Sequence, residues 1–140
     1  MTILDTNVLS EIMATSPSAA ALKWIKNRRL ADRVVITSIT VAEILYGIEL
    51  LASGKRRDKL SAEAEAMFAE DFGADVLMFD EQAARSFARI AANRRKAGRP
   101  IAEMDAQIAA IAHVHGATLA TRNTSDFEGC GIRLANPWLD

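Results

Sequence analysis

Short apolar segments alternate with longer amphipathic segments along the whole of this chain. Residues 34–37 (Val-Val-Ile-Thr) are β-branched throughout, which is typical of a buried strand. Strands that alternate with helical segments predict an α/β fold with a mainly parallel sheet, because each helix returns the chain to the end of the sheet where the next strand begins. We therefore predict one domain over residues 1–140, with a central parallel sheet of about five strands flanked by α-helices.

Five segments are predicted as strands: residues 2–4, 34–37, 76–79, 118–121 and 132–134. Helices are predicted soon after the first strand and over residues 17–29, 40–52, 55–72, 81–97 and 103–115. Ser16 before Pro17 predicts a helix start, because serine is a favoured N-cap and proline is favoured at the first helical position. Asp80 is the predicted N-cap of the helix that Gly98 and Pro100 end.

The composition excludes several classes of protein. Half of the residues are hydrophobic and a quarter are charged, as in ordinary globular proteins. No apolar run approaches the roughly 20 residues of a membrane span, and the N-terminus lacks the basic region and long apolar stretch of a signal peptide. Cys130 is the only cysteine, so no intrachain disulfide can form, and we interpret it as a loop residue. We expect a cytoplasmic protein that does not interact with membranes.

Basic residues fall into three clusters, although a net charge of −1 does not by itself indicate a nucleic-acid-binding protein. The clusters at residues 23–29 and 55–57 are interpreted as solvated helix ends, where cations complement the helix dipole. The third cluster consists of Arg94, Arg95, Lys96 and Arg99. Because a near-neutral protein can carry a basic face when its acids are gathered elsewhere, the role of this cluster stays open at this point.

Four of the 18 acidic residues fall where a parallel sheet binds ligands, outside the carboxyl ends of its strands. Asp5 ends the first predicted strand, and Asp126 follows the fourth. Glu43 lies in the first turns of the helix after the second strand, and Asp105 opens the helix before the fourth. If the first and fourth strands are neighbours, the four carboxylates converge at one edge of the sheet.

Helical periodicity predicts that two of these acids lie in surroundings untypical of an exposed helix face. Glu43 lies off the apolar stripe of its helix, close to Gly47. A glycine costs about 1 kcal/mol in a helix interior, so Gly47 predicts that something approaches closely there. The helix from residue 103 or 104 to 115 is apolar nearly all round and is predicted to be buried, so Asp105 needs a partner.

The chemistry of such a cluster points to a metal ion. Four carboxylates within a few ångströms would repel one another and raise each other's pKa. A divalent cation relieves this repulsion, and oxygen ligands suit Mg²⁺ or Mn²⁺. Such a cation polarises a phosphodiester oxygen and lowers the pKa of a bound water, so no protein nucleophile is required. The pattern alone therefore predicts an acidic metal site.

Each acid also has a simpler interpretation as a local cap. Asp5 can cap the helix after the first strand, and Glu43 can complete a capping box with Thr40. Asp105 suits a helix N-terminus, and Asp126 can form an Asx-turn. For each acid taken singly, capping explains the residue as well as catalysis does. Four caps have no reason to converge, however, so convergence favours a shared role.

Four segments of the chain, in order, resemble the motifs of a known family. They are residues 4–11 (Leu-Asp-Thr-Asn-Val-Leu-Ser-Glu), 39–44 (Ile-Thr-Val-Ala-Glu-Ile), 98–110 and 119–127. Their sequence and spacing resemble PIN-domain proteins, specifically the VapC toxins of bacterial type II toxin–antitoxin pairs. The ending near Pro137 and Trp138 resembles the FitB-type subgroup. The resemblance covers essentially the whole chain.

The resemblance implies the PIN fold, with the first and fourth strands adjacent, and a Mg²⁺- or Mn²⁺-dependent endoribonuclease. It carries metal and catalytic roles onto Asp5, Glu43, Asp105 and Asp126. It implies that Asn7, Thr121 and Asn123 are supporting polar groups, and that Arg94, Arg95 and Arg99 bind RNA phosphates. It also implies a homodimer, a cognate VapB-type antitoxin whose C-terminal segment lies over the active site, and promoter DNA bound only through that antitoxin.

Two other functions remain open at this point. A phosphoaspartyl hydrolase would use Asp5 as its nucleophile. Such enzymes require a second aspartate two positions later in the sequence, and this chain has Asn7 there. A non-catalytic subunit of a DNA-binding toxin–antitoxin repressor complex would keep the acids as a vestigial or regulatory metal site. The intact set of four acids argues against a vestige.

Overall fold

The computed structural model describes residues 1–140, which form five β-strands and six α-helices. The strands are β1 (Thr2–Leu4), β2 (Val34–Thr37), β3 (Val76–Leu77), β4 (Thr118–Ala120) and β5 (Arg133–Ala135). The helices are α1 (Thr6–Met13), α2 (Ala19–Ala31), α3 (Ser38–Glu49), α4 (Lys55–Glu70), α5 (Glu81–Lys96) and α6 (Glu103–His115). A short 3₁₀ turn over Thr124–Phe127, here named the Asp126 turn, lies after β4.

All five strands are parallel and lie in the order β3-β2-β1-β4-β5. From β1 the chain adds β2 and β3 on one side, and then crosses over to add β4 and β5 on the other. In such sheets the ligand crevice forms at the carboxyl ends of the two strands where the winding reverses, here β1 and β4. The predicted five-stranded parallel sheet and the adjacency of its first and fourth strands are confirmed.

Alternate residues along the strands pack into two hydrophobic cores, one on each face of the sheet. Ile3 and Leu119 belong to the core that packs against α5 and α6. Leu4 and Ala120 belong to the core that α1, α2, α3 and α4 cover. Residues 108–112 of α6 are wholly buried, as its apolar composition predicts. None of the six helices combines the length and the apolar character that a bilayer crossing requires.

The predicted start of α2 is wrong by two residues. Its N-cap is Ser18, whose Oγ accepts a hydrogen bond from the backbone N–H of Ala21 over 3.3 Å. Ser16 and Pro17 precede the helix and belong to the connection from α1. The backbone N–H of Ser18 donates to the Glu11 carboxylate over 2.7 Å, and this contact with α1 fixes the start of α2.

The predicted capping box of α3 is also wrong. The helix begins at Ser38, and its N-cap is Thr37, whose hydroxyl accepts from the backbone N–H of Thr40 over 3.2 Å. Thr40 therefore lies inside the helix, and the Glu43 side chain is free of any capping role. By contrast, Asp80 is the N-cap of α5, as predicted.

Candidate active site

The carboxyl ends of β1 and β4 open onto a polar cavity of about 420 Å³, here named the acidic cavity. Asp5 reaches it directly after β1, and Asp126 reaches it from the turn after β4. Glu43 enters from α3, and Asp105 from the first turn of α6. The structure therefore brings the four predicted acids, carried by four different elements, to one cavity. Their metal and catalytic roles remain predictions.

Asp5 is the most firmly held of the four acids. It is 5% exposed, and its Oδ1 accepts a hydrogen bond from the backbone N–H of Thr6 over 2.8 Å. Its Oδ2 accepts from the Thr121 hydroxyl over 2.7 Å and from the Asn7 amide over 3.3 Å. Burial raises the pKa of Asp5, the bonds from Thr121 and Thr6 oppose that rise, and the charges of Glu43 and Asp126 add to it.

Asp105 has neither a hydrogen-bond donor nor a cation to stabilise its charge. The pKa of this half-buried carboxyl is raised to about 6, first by burial and then by the negative charges of Asp5, Glu43 and Asp126. The four acids therefore interact electrostatically, and the chain supplies no cation that offsets them at Asp105. A titratable group with such a shift in a cleft is typical of a functional site.

Glu43 is oriented by a residue that the sequence did not single out. The Thr6 hydroxyl donates to Glu43 Oε1 over 2.7 Å, and it lies 3.0 Å from the hydroxyl of the buried Thr40. Thr6 therefore links α1 to α3 at the edge of the cavity. The only sequence signal for this role is that Thr6 directly follows Asp5, because its partner lies 37 positions away.

Two of the three predicted supporting residues, Thr121 and Asn7, bond to the Asp5 carboxylate, and Asn123 bonds to Thr121. Thr121 is wholly buried, and its hydroxyl also accepts from the Asn7 amide over 3.2 Å and from the backbone N–H of Asn123 over 3.1 Å. Asn7 Oδ1 accepts from the backbone N–H of Arg122 over 3.2 Å. Asn7 and Asn123 both line the acidic cavity. These bonds join the end of β4 to the start of α1 and fix the Asp5 carboxylate between them.

The structure corrects the prediction for Arg94. Only 7% of this residue is exposed, and its guanidinium donates to the backbone carbonyls of Arg99 (2.7 Å), Asp126 (2.8 Å) and Glu128 (3.0 Å). A buried guanidinium that donates to three backbone carbonyls is not available to an RNA phosphate. Arg94 instead ties the Asp126 turn to α5. Arg95 is exposed, so a phosphate can reach it.

Arg99 is exposed but already has partners. Its guanidinium donates to the Ser125 carbonyl over 3.3 Å and lies 3.5 Å from a Glu128 carboxylate oxygen. Glu11 and Ser10 also line the acidic cavity, although neither was predicted as a site residue. The Glu11 carboxylate accepts a hydrogen bond from the backbone N–H of Ser18, so a structural role accounts for it.

The nucleophile hypothesis for Asp5 does not fit this geometry. A carboxylate that attacks a phosphate needs a free oxygen and access to substrate. Both oxygens of Asp5 accept hydrogen bonds and the residue is 5% exposed, so its remaining lone pairs can bind a small cation, but the fixed carboxylate is poorly placed to move onto a substrate phosphorus. Together with Asn7 at the position where a second aspartate belongs, this disfavours a phosphoaspartyl enzyme.

The donor set of the acidic cavity fits a hydrated divalent cation. No three or more Asp, Glu, His or Cys side chains stand close enough together to form a ready-made metal cage. Mg²⁺ rarely uses such a cage, because it keeps several waters and is held by one or two carboxylates. Five carboxylates line the acidic cavity, and the pKa is raised at two of them, Asp5 and Asp105, which suits that kind of site.

A larger groove of about 680 Å³ adjoins the acidic cavity along α1, α3 and α4. The two share Thr6, Ser10 and Glu43. Gly47 also lines this groove, and no atom of the chain lies within 4 Å of the place where a Cβ would stand. The predicted close approach at Gly47 is therefore not made by this chain itself.

Comparison with known sequences identifies relatives over the full length of the chain. The PIN domain family matches residues 2–129. VapC ribonuclease Y4jK of Sinorhizobium fredii is 38% identical over 138 residues, which cover 99% of this chain and 98% of that protein. Toxin FitB of Neisseria gonorrhoeae is 37% identical over 140 residues, which cover 100% of both.

Comparison with solved structures gives the same result. The crystal structure of FitAcB from Neisseria gonorrhoeae aligns with a TM-score of 0.91 at 36% identity and covers 100% of both chains. The structure of FitAB bound to an IR36 DNA fragment aligns with a TM-score of 0.90 at 37% identity, covering 99% of this chain and 96% of the other. The fold, the cavity at its β1–β4 edge and the full-length matches agree, and this chain belongs to the PIN-domain family.

Proposed function

We propose that this protein is the toxin of a type II toxin–antitoxin pair, and that it is an endoribonuclease which uses Mg²⁺ or Mn²⁺ in the acidic cavity. One observation carries the proposal: the four predicted carboxylates, from four elements, are among the five that line one cavity, and burial with the neighbouring charges raises the pKa of Asp105 to about 6. Relatives named VapC ribonuclease and toxin FitB support it. Residues 1–140 would form a single PIN domain.

The four acids would have different roles at the metal site, because the chain holds their carboxylates differently. Asp5 and Glu43 have fixed orientations, set by Thr121 and Thr6, and are suited to hold a cation in one place. Asp105 makes no hydrogen bond in the chain, so its carboxyl can adjust to a cation and its waters. A bound cation would polarise the scissile phosphate and lower the pKa of the attacking water.

The partners of this protein are proposed from its relatives. FitAcB and FitAB are assemblies, and FitAB is bound to DNA in its structure. We propose a VapB-type antitoxin whose C-terminal segment enters the groove beside α1, α3 and α4 and covers the acidic cavity. A homodimer of the toxin would then bind promoter DNA only through this antitoxin. Arg95 and Arg99 would assist in binding RNA phosphates.

The experiment uses purified protein, free of antitoxin, with total cellular RNA in Mg²⁺, in Mn²⁺ and in EDTA. We expect discrete fragments that require the metal and disappear in Asp5→Asn. The matched control is Asp58→Asn, which removes one carboxylate from the exposed side of α4, outside the acidic cavity, and should cleave like the wild type.

Cleavage that persists in EDTA, or in folded Asp5→Asn protein, would contradict the proposal. A complementary test asks whether expression of Asp105→Asn is toxic to the host. If this variant is as toxic as the wild type, the toxicity does not arise at the acidic cavity, and a non-catalytic repressor subunit becomes the better explanation.

A further inference from the structure

Arg122 is immobilised at three points beside the acidic cavity. Its backbone N–H donates to Asn7 Oδ1 over 3.2 Å, and its carbonyl accepts from the Asn136 amide over 3.3 Å. Its guanidinium carbon lies 4.9 Å from the centroid of the Trp138 ring, within the range of a cation–π contact. Both the backbone and the cation of this exposed residue are therefore held in place.

The Trp138 ring, which lies against the Arg122 guanidinium, is itself held in place. Asn136 is 9% exposed, and its Oδ1 accepts from the backbone N–H of Trp138 over 2.9 Å. The backbone N–H of Asn136 donates to the Asp140 carboxylate over 2.7 Å. Trp138 is half-buried and packs against the core beneath α1 and α3. The last five residues of the chain thus form a platform under the Arg122 guanidinium.

The charge of Arg122 has no acidic partner in the chain. None of the six ion pairs includes it, and its guanidinium donates no hydrogen bond. Its neighbours in sequence belong to the site, because Thr121 binds Asp5 and Asn123 lines the cavity. The backbone of Arg122 thus borders a cavity whose own charges are negative, while its guanidinium lies over Trp138, outside the cavity lining, with all its N–H donors free. An RNA backbone that enters this cavity is repelled by its carboxylates, and a free arginine near the cavity adds to the offset that a bound metal ion provides.

We propose that Arg122, held over Trp138, binds a phosphate of the RNA where its backbone passes out of the acidic cavity towards the last residues of the chain. The guanidinium lies over the indole ring and donates no hydrogen bond within the chain, so two N–H groups on one of its edges can match two phosphate oxygens. The contact recognises the backbone and not a base, so it acts on RNA of any sequence. This inference rests on the proposed ribonuclease function.

The test measures binding and cleavage separately. Binding is titrated with a labelled random-sequence single-stranded RNA in Ca²⁺ at several salt concentrations. Cleavage of total RNA is followed in Mn²⁺ to give kcat and KM. The variants are Arg122→Gln, Arg122→Lys and Trp138→Leu. Arg89→Gln is the matched control, because Arg89 is an exposed arginine on α5 without a side-chain partner, and the substitution changes the net charge equally.

We expect Arg122→Gln to weaken binding about tenfold and to reduce the slope of log K against log salt by about 0.7, the loss of one phosphate contact. KM should rise by a similar factor while kcat stays within about twofold of the wild type. Arg122→Lys should recover part of the affinity, since it keeps the charge without the fork, and Trp138→Leu should lose affinity although Arg122 remains. Arg89→Gln should keep the wild-type salt slope.

Two results would overturn the inference: equal binding and equal salt slopes in Arg122→Gln and Arg89→Gln, or a loss of kcat with unchanged binding. Failure of the proposed function has a different signature. In that case the wild-type protein does not cleave RNA in any metal, whatever the state of residue 122. A wild type that neither binds nor cleaves RNA would overturn both.

Discussion

Two carboxyl groups of the acidic cavity are buried by the same fold but stabilised differently. Asp5 lies deep and receives hydrogen bonds from Thr6, Thr121 and Asn7, so its negative charge has local support. Asp105 receives none, and burial together with the three other acids raises its pKa to about 6. At neutral pH the metal-free protein therefore holds an Asp105 charge that its surroundings disfavour.

Asp105→Asn is predicted to stabilise the metal-free protein at neutral pH. A raised carboxyl pKa means that the folded state binds this proton more tightly than the unfolded chain does. The wild type therefore loses stability as the pH rises from the unfolded value near 4 through about 6, and loses no more above that. Allowing for the solvent that screens this half-buried group, the variant should gain about 1–2 kcal/mol at pH 7.

Urea denaturation in EDTA at pH 4, 5, 6 and 7 measures this gain, which should shrink to nothing near pH 4. Glu65→Gln is the control, because it removes an exposed carboxylate in the middle of α4, away from the cavity. A gain from Asp105→Asn that is equal at all four pH values would show that the carboxyl is not destabilised by its surroundings.

Thr6→Val tests whether the orientation of Glu43 matters. Valine keeps the shape of threonine but removes the hydroxyl that donates to Glu43 Oε1 over 2.7 Å. We expect kcat for RNA cleavage to fall at least about tenfold, the size of effect seen when a group that orients a metal ligand is lost. Thr6→Ser keeps the hydroxyl and should remain close to wild type. Equal losses in the two variants would mean that the methyl group, not the hydroxyl, is what the site requires.

Between elements, a side chain from α5 helps to hold the Asp126 turn, in addition to Phe127, which is 1% exposed and packs in the core. The Arg94 guanidinium reaches the carbonyls of Asp126 and Glu128 after β4 and the carbonyl of Arg99 before α6. It therefore fixes the segments that lead to Asp105 and carry Asp126. Because it is buried without a carboxylate partner, its charge is stabilised mainly by these carbonyl dipoles, with the Cys130 sulfur 3.5 Å away.

Arg94→Met should destabilise the protein and loosen the Asp126 turn. The change leaves three carbonyls without their donor, and we expect a loss of about 2–4 kcal/mol in urea denaturation. Hydrogen exchange should quicken at the Asp126 amide, which donates to the Asn123 carbonyl. Arg95→Met, at the neighbouring exposed position of α5, should change stability by less than about 0.5 kcal/mol. If both variants are equally stable, the bonds of Arg94 do not hold the turn.

At the scale of the whole molecule, the features that could be predicted from the sequence are those that depend on periodicity and chain order. The apolar circumference of α6 predicts its burial, and the places of Asp5 and Asp126 after parallel strands predict that they meet. The bonds between distant segments were not predictable in this way. Arg94 looks like an exposed cation because its acceptors are backbone carbonyls, which any residue supplies. The Thr6–Glu43 bond spans 37 positions and has no local signature.

A divalent cation should stabilise the whole fold, because it binds carboxylates that only the folded chain brings together. A cation at about one hundred times its Kd should add about 2.7 kcal/mol to the free energy of unfolding, measured as a rise in Tm. The rise should be larger at pH 7.5 than at pH 5.5, since below about 6 Asp105 holds a proton that the cation must displace. Asp5→Asn and Asp105→Asn should reduce it, whereas Asp58→Asn should not. A rise in Tm that is the same at both pH values, or unchanged in Asp5→Asn, would place the cation outside the acidic cavity.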